Sequence, residues 1–272
     1  MNPAVFEPLP PDMQSPLTGG RFLPVGGHGA FVLERGVGFP VLLVHGMGAS
    51  HHTWRRNLDA LASGFHVVAP DLPGYGLSQP GSGFAYTVTE YSDYLAAAMT
   101  ALGIERAHVV AHSFGGAVAE NLARTAPDRV ARMVLIGSSD LEHPIQADDN
   151  QKTKHLFLHS YRNKIAFDRE AVAFARLVNR GGRIARTTRA VCAANLQGNR
   201  RTGRLPHPVL ILWGSHDEIV LPEGAARLAG QFDDAEIRLI EDSGHACHEE
   251  TSKPVNALIA EFLARPEPAA SS

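Results

Sequence analysis

The 272-residue sequence predicts an α/β fold built on a mostly parallel sheet. Short apolar runs rich in β-branched residues alternate with amphipathic stretches of helical length, as strands joined by crossover helices do. The central runs, VLLVHG, HVVAHS, RMVLIG and VLILWG, show little polar alternation, which marks strands covered on both faces.

The elements follow in order. RFLPV and AFVLE, joined by the turn GGHG, read as an opening hairpin, and VLLVHG and FHVVAP supply the next two strands. TVTEYSDYLAAAMTALG reads as a helix: Thr87 and Glu90 form a capping box, and Val88, Tyr91, Leu95, Met99 and Leu102 make one apolar face. HVVAHS then runs into GGAVAENLARTAPDR, a helix that begins at the serine and is stopped by Pro127. RMVLIG, VLILWG and EIRLIE complete eight strands, and PVNALIAEFLA is the closing helix.

The alternation fails between about Leu141 and Arg204, where the sequence is helical and polar. The expected organisation is therefore a core formed by residues 1–140 and 205–272, with a helical cap inserted at 141–204. A proline-rich lead, residues 1–20, is expected to be flexible. The cap carries thirteen Lys or Arg against five Asp or Glu, a net +8, and the rest of the chain is −11. A solvated basic face accounts for most of these side chains. A sharper expectation is that one or two arginines point into a cleft and favour an anionic substrate.

The net charge of −3 offers no general field for nucleic acid. Two cysteines, Cys192 and Cys247, are too few for a disulfide framework and match no zinc spacing. The N-terminal residues lack a basic region followed by an apolar one, and no run approaches the ~18 apolar residues of a membrane span. The sequence reads as a soluble, cytoplasmic protein with no membrane partner.

The chemistry centres on VVAHSFGGAVAE. A serine hydroxyl is a poor nucleophile unless a base takes its proton, an acid orients the base and donors await the oxyanion. Ser113 sits where a strand meets a helix, a sharp turn that presents the hydroxyl above the sheet in the positive field of the helix start. The residues two before and two after it must be small. Gly115 meets that requirement, and Ala111 adds one methyl group where glycine is usual.

The partners lie on loops beyond later strands. Asp217 follows VLILWG and His245 follows EIRLIE, where sites on open α/β sheets form. Ser113, Asp217 and His245 then stand in nucleophile, acid, base order. The turn HGMGASHHTW, after VLLVHG, offers the N–H groups of Met47 and, from the elbow, Phe114 as an oxyanion hole. His45, Gly46 and His112 are candidate substrate-binding residues, although His112, one position from the serine on a strand, also reads as packing or hydrogen bonding beneath the site.

Other residues are weaker candidates. His248 falls where the final helix begins, and Asp140 lies near another strand end as a displaced acid. Asp71 more simply fixes its own loop, and Cys247 packs one. His51 and His52 are adjacent and diverge, which argues against a shared metal. They line the cleft mouth or face solvent. No metal is expected, and with no G-x-G-x-x-G or phosphate loop no nucleotide cofactor is expected either.

These motifs resemble the α/β-hydrolase family over essentially the whole chain after the lead: HGMG at the oxyanion turn, DLPGYGLS after the fourth strand, AHSFGG at the elbow, WGSHDEIV at the acid and DSGHACHEE at the histidine. The resemblance implies an eight-stranded, mostly parallel sheet with helices on both faces, a helical cap after the sixth strand and a pocket between them. The leading expectation is a serine hydrolase of a small organic substrate, most simply a carboxylic ester. The alternatives are a lactonase, a carbon–carbon bond hydrolase of anionic ring-cleavage products, a non-hydrolytic enzyme such as a lyase or cofactor-free oxygenase, and a catalytically silent binding protein on the same scaffold. Aspartate-nucleophile branches are disfavoured because the elbow carries Ser113.

Overall fold

A computed structural model describes residues 15–139, 160, 162, 169–195 and 203–266. Eight strands form one sheet: β1 (Gly20–Val25), β2 (His28–Arg35), β3 (Pro40–Val44), β4 (His66–Pro70), β5 (Ala107–His112), β6 (Val130–Ile136), β7 (Val209–Gly214) and β8 (Ala235–Ile240). Their order is β1-β2-β4-β3-β5-β6-β7-β8. β2 is antiparallel to both neighbours, and every other pair is parallel. The eight apolar runs of the sequence are these eight strands.

The hairpin closes on a two-residue turn, with Val25 opposite His28. The helix Val88–Ala101 starts as expected at Thr87, whose hydroxyl accepts the Glu90 N–H at 3.2 Å. The other half of the capping box differs, because the Glu90 carboxylate takes the Ala85 N–H further upstream. Pro127 ends the helix Phe114–Thr125, and Ala126 is already out of helical geometry. The helix Ser252–Leu263 packs on β7 and on the short helix Leu58–Ala62, whereas Val88–Ala101 packs on Phe114–Thr125 and β1.

Between β6 and β7 two helices, Arg169–Val178 and Arg183–Ala194, are described; the displaced-acid candidate Asp140 and residues 141–159, 161, 163–168 and 196–202 of the expected cap lie outside the described residues. Residues 1–14 of the expected flexible lead also lie outside them. From Ser15 onward the lead is tied down: the Ser15 hydroxyl contacts His51 at 2.8 Å, and the Gly19 carbonyl accepts the Glu34 N–H at 3.1 Å. Among the described residues no helix is long and apolar enough to cross a membrane.

β5 determines where the chemistry sits. It lies between β3 and β6 with all six residues buried, and the helix Phe114–Thr125 begins one residue after it ends. Ser113 alone makes the turn, at φ 53° and ψ −124°. Such a backbone costs about 1–3 kcal/mol and persists only when its surroundings over-determine it. Here the Ser113 N–H donates to the Ile136 carbonyl of β6 at 3.0 Å, and the Ser113 carbonyl accepts the Gly116 N–H at 2.8 Å.

The tight side of the turn is at Gly115, where a methyl group would stand 2.5 Å from the Val44 carbonyl oxygen and 2.7 Å from that of His45. Ala111 sits on the opposite side, in register with Val44 of β3 and Leu135 of β6, and its methyl is enclosed without exposure. The departure from glycine at this position is therefore absorbed by the strand. Gly115→Ala is expected to lower stability by about 2 kcal/mol, in the range of an overpacked core site, as read by urea denaturation. An unchanged unfolding midpoint would show that β3 can withdraw from the elbow.

Candidate active site

Three strand ends bring the acid, base and nucleophile together. Asp217, in the loop after β7, has its Oδ1 fixed by the N–H groups of Ile219 at 2.9 Å and Val220 at 3.0 Å. Its Oδ2 lies 2.8 Å from His245 Nδ1. A carboxylate held by two amides keeps Nδ1 as the protonated nitrogen of the imidazole and leaves Nε2 as an acceptor. Ser113, Asp217 and His245 are all buried.

The end of β6 passes directly beside this pair. A methyl on Gly137, at φ 49°, would stand 3.1 Å from both Asp217 Oδ2 and His245 Nδ1. No sequence argument singled out this glycine. The signal was available, because RMVLIG ends on glycine at the same level as the elbow.

Ser113 and His245 open on one cavity of about 120 Å³. Its apolar wall comes from Met47 and from Phe174, Ala175, Val178 and Ile184 of the two helices between β6 and β7. The oxyanion candidates flank the serine: Met47 lines the cavity, and Phe114 is the first residue of its helix, where N–H groups have no intrahelical acceptor.

The three candidate substrate-binding residues divide. His112 lines the cavity, but its Nε2–H is directed to the His245 carbonyl oxygen at 3.1 Å. His45 is fully buried and absent from the cavity wall: Nε2 accepts the Leu72 N–H at 2.9 Å, and Nδ1 donates to the Gly46 carbonyl at 2.8 Å. It braces the turn and leaves no ring nitrogen for substrate, which corrects the expectation placed on it. Gly46 is also absent from the wall. A methyl there would meet Ser113 Cβ and His112 Nδ1, each at 3.0 Å, so its contribution is to let the turn approach the elbow.

Of the cavity's polar end the sequence suggests only His52. His52, Thr53, Arg55 and Glu249 all line it. Glu249 accepts the Thr53 hydroxyl at 2.6 Å and forms a close ion pair with Arg55. Because Thr53 gives its proton to Glu249, its oxygen receives the Nε2–H of His248 at 3.1 Å. No periodicity links residues 53–55 to 248–249; only the fold joins them. Asp71 does fix its own loop, accepting the His51 backbone N–H at 2.6 Å and the Leu77 N–H at 2.7 Å.

Three imidazoles pack together here at tilted angles, with His112 4.7 Å from His245 and 4.5 Å from His248 between ring centres. Burial, reinforced by His248 and His245, pushes the His112 pKa well below its ordinary value. Burial likewise lowers His248, to about 4, against a weaker opposing effect of Glu249. Both rings are therefore neutral near pH 7, and neither places a positive charge beside His245.

This depression makes stability depend on pH. Both groups bind a proton more readily in the unfolded chain, so their contribution is complete above about 6.5 and declines as pH falls towards about 4. The urea midpoint should fall between about pH 7.5 and about pH 5.5, and His248→Gln should flatten that dependence. A wild-type midpoint flat across this window would contradict the assignment of neutral buried rings.

Comparison with known proteins agrees with this architecture. Residues 40–183 match the alpha/beta hydrolase fold family, and residues 187–271 match a TAP-like protein family. The chain is 31% identical to the dihydrolipoyllysine-residue acetyltransferase component of an acetoin cleaving system from Pseudomonas putida, over 93% of this chain and 70% of that protein. It is 29% identical to a 2-hydroxymuconate semialdehyde hydrolase from Pseudomonas sp. strain CF600, over 88% of this chain and 92% of the relative. Among solved structures, a meta-cleavage product hydrolase from Pseudomonas fluorescens IP01 superposes with a TM-score of 0.79 at 24% identity, covering 90% of this chain and 97% of its own. With the strained elbow, the sheet order and these matches in agreement, the chain belongs to the alpha/beta hydrolase fold family.

Proposed function

We propose that the chain is a serine hydrolase of small, neutral carboxylic esters. The observation that carries the reaction type is a backbone-strained Ser113 that lines one cavity with His245, whose Nδ1 lies 2.8 Å from Asp217. Ser113 Oγ attacks the ester carbonyl while His245 Nε2 takes its proton, and Asp217 holds the ring and stabilises its cation. The N–H groups of Met47 and Phe114 receive the oxyanion. His245 then protonates the leaving alcohol and activates the water that releases the acid.

Charge at the cavity supports a neutral substrate. Arg55 is the only arginine among the described lining residues, and Glu249 neutralises it. Two arginines of the neighbouring helices are occupied elsewhere: Arg183 donates to the Gly76 carbonyl at 2.7 Å and to that of Ser78, and Arg186 turns back to Gly181.

A second reading, a carbon–carbon bond hydrolase acting on an anionic vinylogous diketone acid, draws on the 2-hydroxymuconate semialdehyde hydrolase relative, matched over most of its length. Against it stand His112 where that branch often has Asn, and Ala246 where it often has Trp.

A turnover panel with short neutral esters, lactones, carboxylate-bearing esters and a vinylogous diketone acid separates the readings. Neutral esters should be preferred, and Ser113→Ala should lower kcat by at least about 10³-fold. Near-full turnover by that variant would sink the mechanism. Preference for the diketone acid would move the assignment to the second reading, and failure of Ser113 to react with a fluorophosphonate would indicate a silent binding scaffold.

A further inference from the structure

A second Ser–His–Asp relay lies outside the cavity that holds Ser113. His51 Nδ1 is 2.9 Å from both carboxylate oxygens of Asp71, and His51 Nε2 is 2.8 Å from Ser15 Oγ. His51 and Asp71 are fully buried and Ser15 is half-buried. Two further N–H groups hold the Asp71 carboxylate, as two hold Asp217. Burial pushes the Asp71 carboxyl up, but His51 and His45, with the Leu77 N–H, outweigh it and hold its pKa below the ordinary value.

The donor pattern follows from these contacts. An ionised Asp71 keeps the imidazole proton on Nδ1, so Nε2 is an acceptor and the Ser15 hydroxyl donates to it. Ser15 Oγ in turn accepts the Leu17 N–H at 3.0 Å. One lone pair of the oxygen stays uncommitted. Ser15 also lines a cavity of its own, with Pro16, Phe174 and Leu177 as apolar wall and Arg176 and Arg180 beside them. Neither arginine lines the cavity at Ser113.

We propose that Ser15, His51 and Asp71 form a second nucleophilic centre, at which Ser15 accepts an acyl group from small, carboxylate-bearing activated esters. Ser15 Oγ bonds to the acyl carbon as its proton passes to His51 Nε2. The bond from that carbon to the aryloxide oxygen breaks, and the aryloxide leaves with the electron pair. Ser15 does not open a helix, so among the described residues no helix-start N–H groups await an oxyanion beside it. The centre is therefore a stoichiometric acceptor, a site of covalent modification, and the two arginines select for the anionic acyl donor.

The test uses full-length Ser113→Ala treated with mono-p-nitrophenyl succinate, followed by peptide mass mapping. A positioned base contributes about 10²–10⁴-fold, so Ser15 should be succinylated about a hundred-fold faster than the exposed Ser63 of the same molecules. The excess should vanish in guanidinium and in the Ser15→Ala, Ser113→Ala double variant, and p-nitrophenyl acetate should react more slowly. Acylation of Ser15 no faster than of Ser63, or an equal rate in the unfolded chain, overturns the proposal. Equal rates with the two esters overturn its anionic selectivity. Because the readout is made without Ser113, it succeeds or fails independently of the reaction assigned to that residue.

Discussion

The structure depends on one constraint: a buried strand must become a helix within a single residue. β5 cannot tilt to ease the turn, since β3 and β6 bond it on both sides, so Ser113 takes the strain. Everything that must reach the serine then approaches through a small residue. The β3 end arrives at Gly46, the β6 end at Gly137, and the β7 end at Gly214, where a methyl would stand 2.1 Å from the Gly244 carbonyl next to His245. The geometry of the site is thus a packing property of adjacent strand ends, with the loops supplying side chains to positions already fixed. That is also why the strain can be sustained, for relieving it would separate contacts contributed by four parallel strands.

The second constraint is the cost of burying polar groups. Behind the serine, imidazoles and carboxylates are enclosed with almost no exposure, and an unpaired charge there would be expensive. The fold meets this in two ways. Carboxylates are surrounded by N–H donors, as at Asp71 and Asp217. Imidazoles without a carboxylate partner to their rings, His112 and His248, are kept neutral by burial. A hydrogen-bonded carboxylate beside Nδ1 makes any histidine a potential base. The difference between Ser113 and Ser15 is therefore not the relay behind them but the backbone in front, a helix start for one and a bending, turn-forming lead for the other.

The sequence revealed what rests on local periodicity and chain order. Strand runs of five to eight residues with apolar character on both faces could be read directly, and so could Ser113, Asp217 and His245, because each follows such a run on its C-terminal side. Residues whose role is a long-range contact could not. Glu249 acquires meaning only when Arg55, 194 positions earlier, is folded against it. His45 was misjudged for the same reason: beside the oxyanion turn in sequence, it looks like a substrate contact, yet Leu72 and Gly46 occupy both of its nitrogens. Ser15 belonged to a stretch read as flexible lead, and no local pattern signals that its hydroxyl will meet His51.

Charge shows the same limit at a larger scale. A net +8 over residues 141–204 invites the inference of an anion-seeking pocket, but a guanidinium exerts a strong effect only over the few ångströms where water is excluded. Arg183 donates to the carbonyls of Gly76 and Ser78, so it acts as a clamp between its helix and the loop after β4. Arg162 is paired with Asp242 at 2.5 Å, away from the cavity lining. Arg204 meets Asp233 at 3.1 Å in solvent-exposed positions, where an ion pair contributes little. The side chains that line the cavity with Ser113 are apolar, neutral polar, or ion-paired as Arg55 is with Glu249. Arg183, Arg162 and Arg204 thus fasten or flank this segment rather than charge the cavity, where Arg55 is compensated by Glu249.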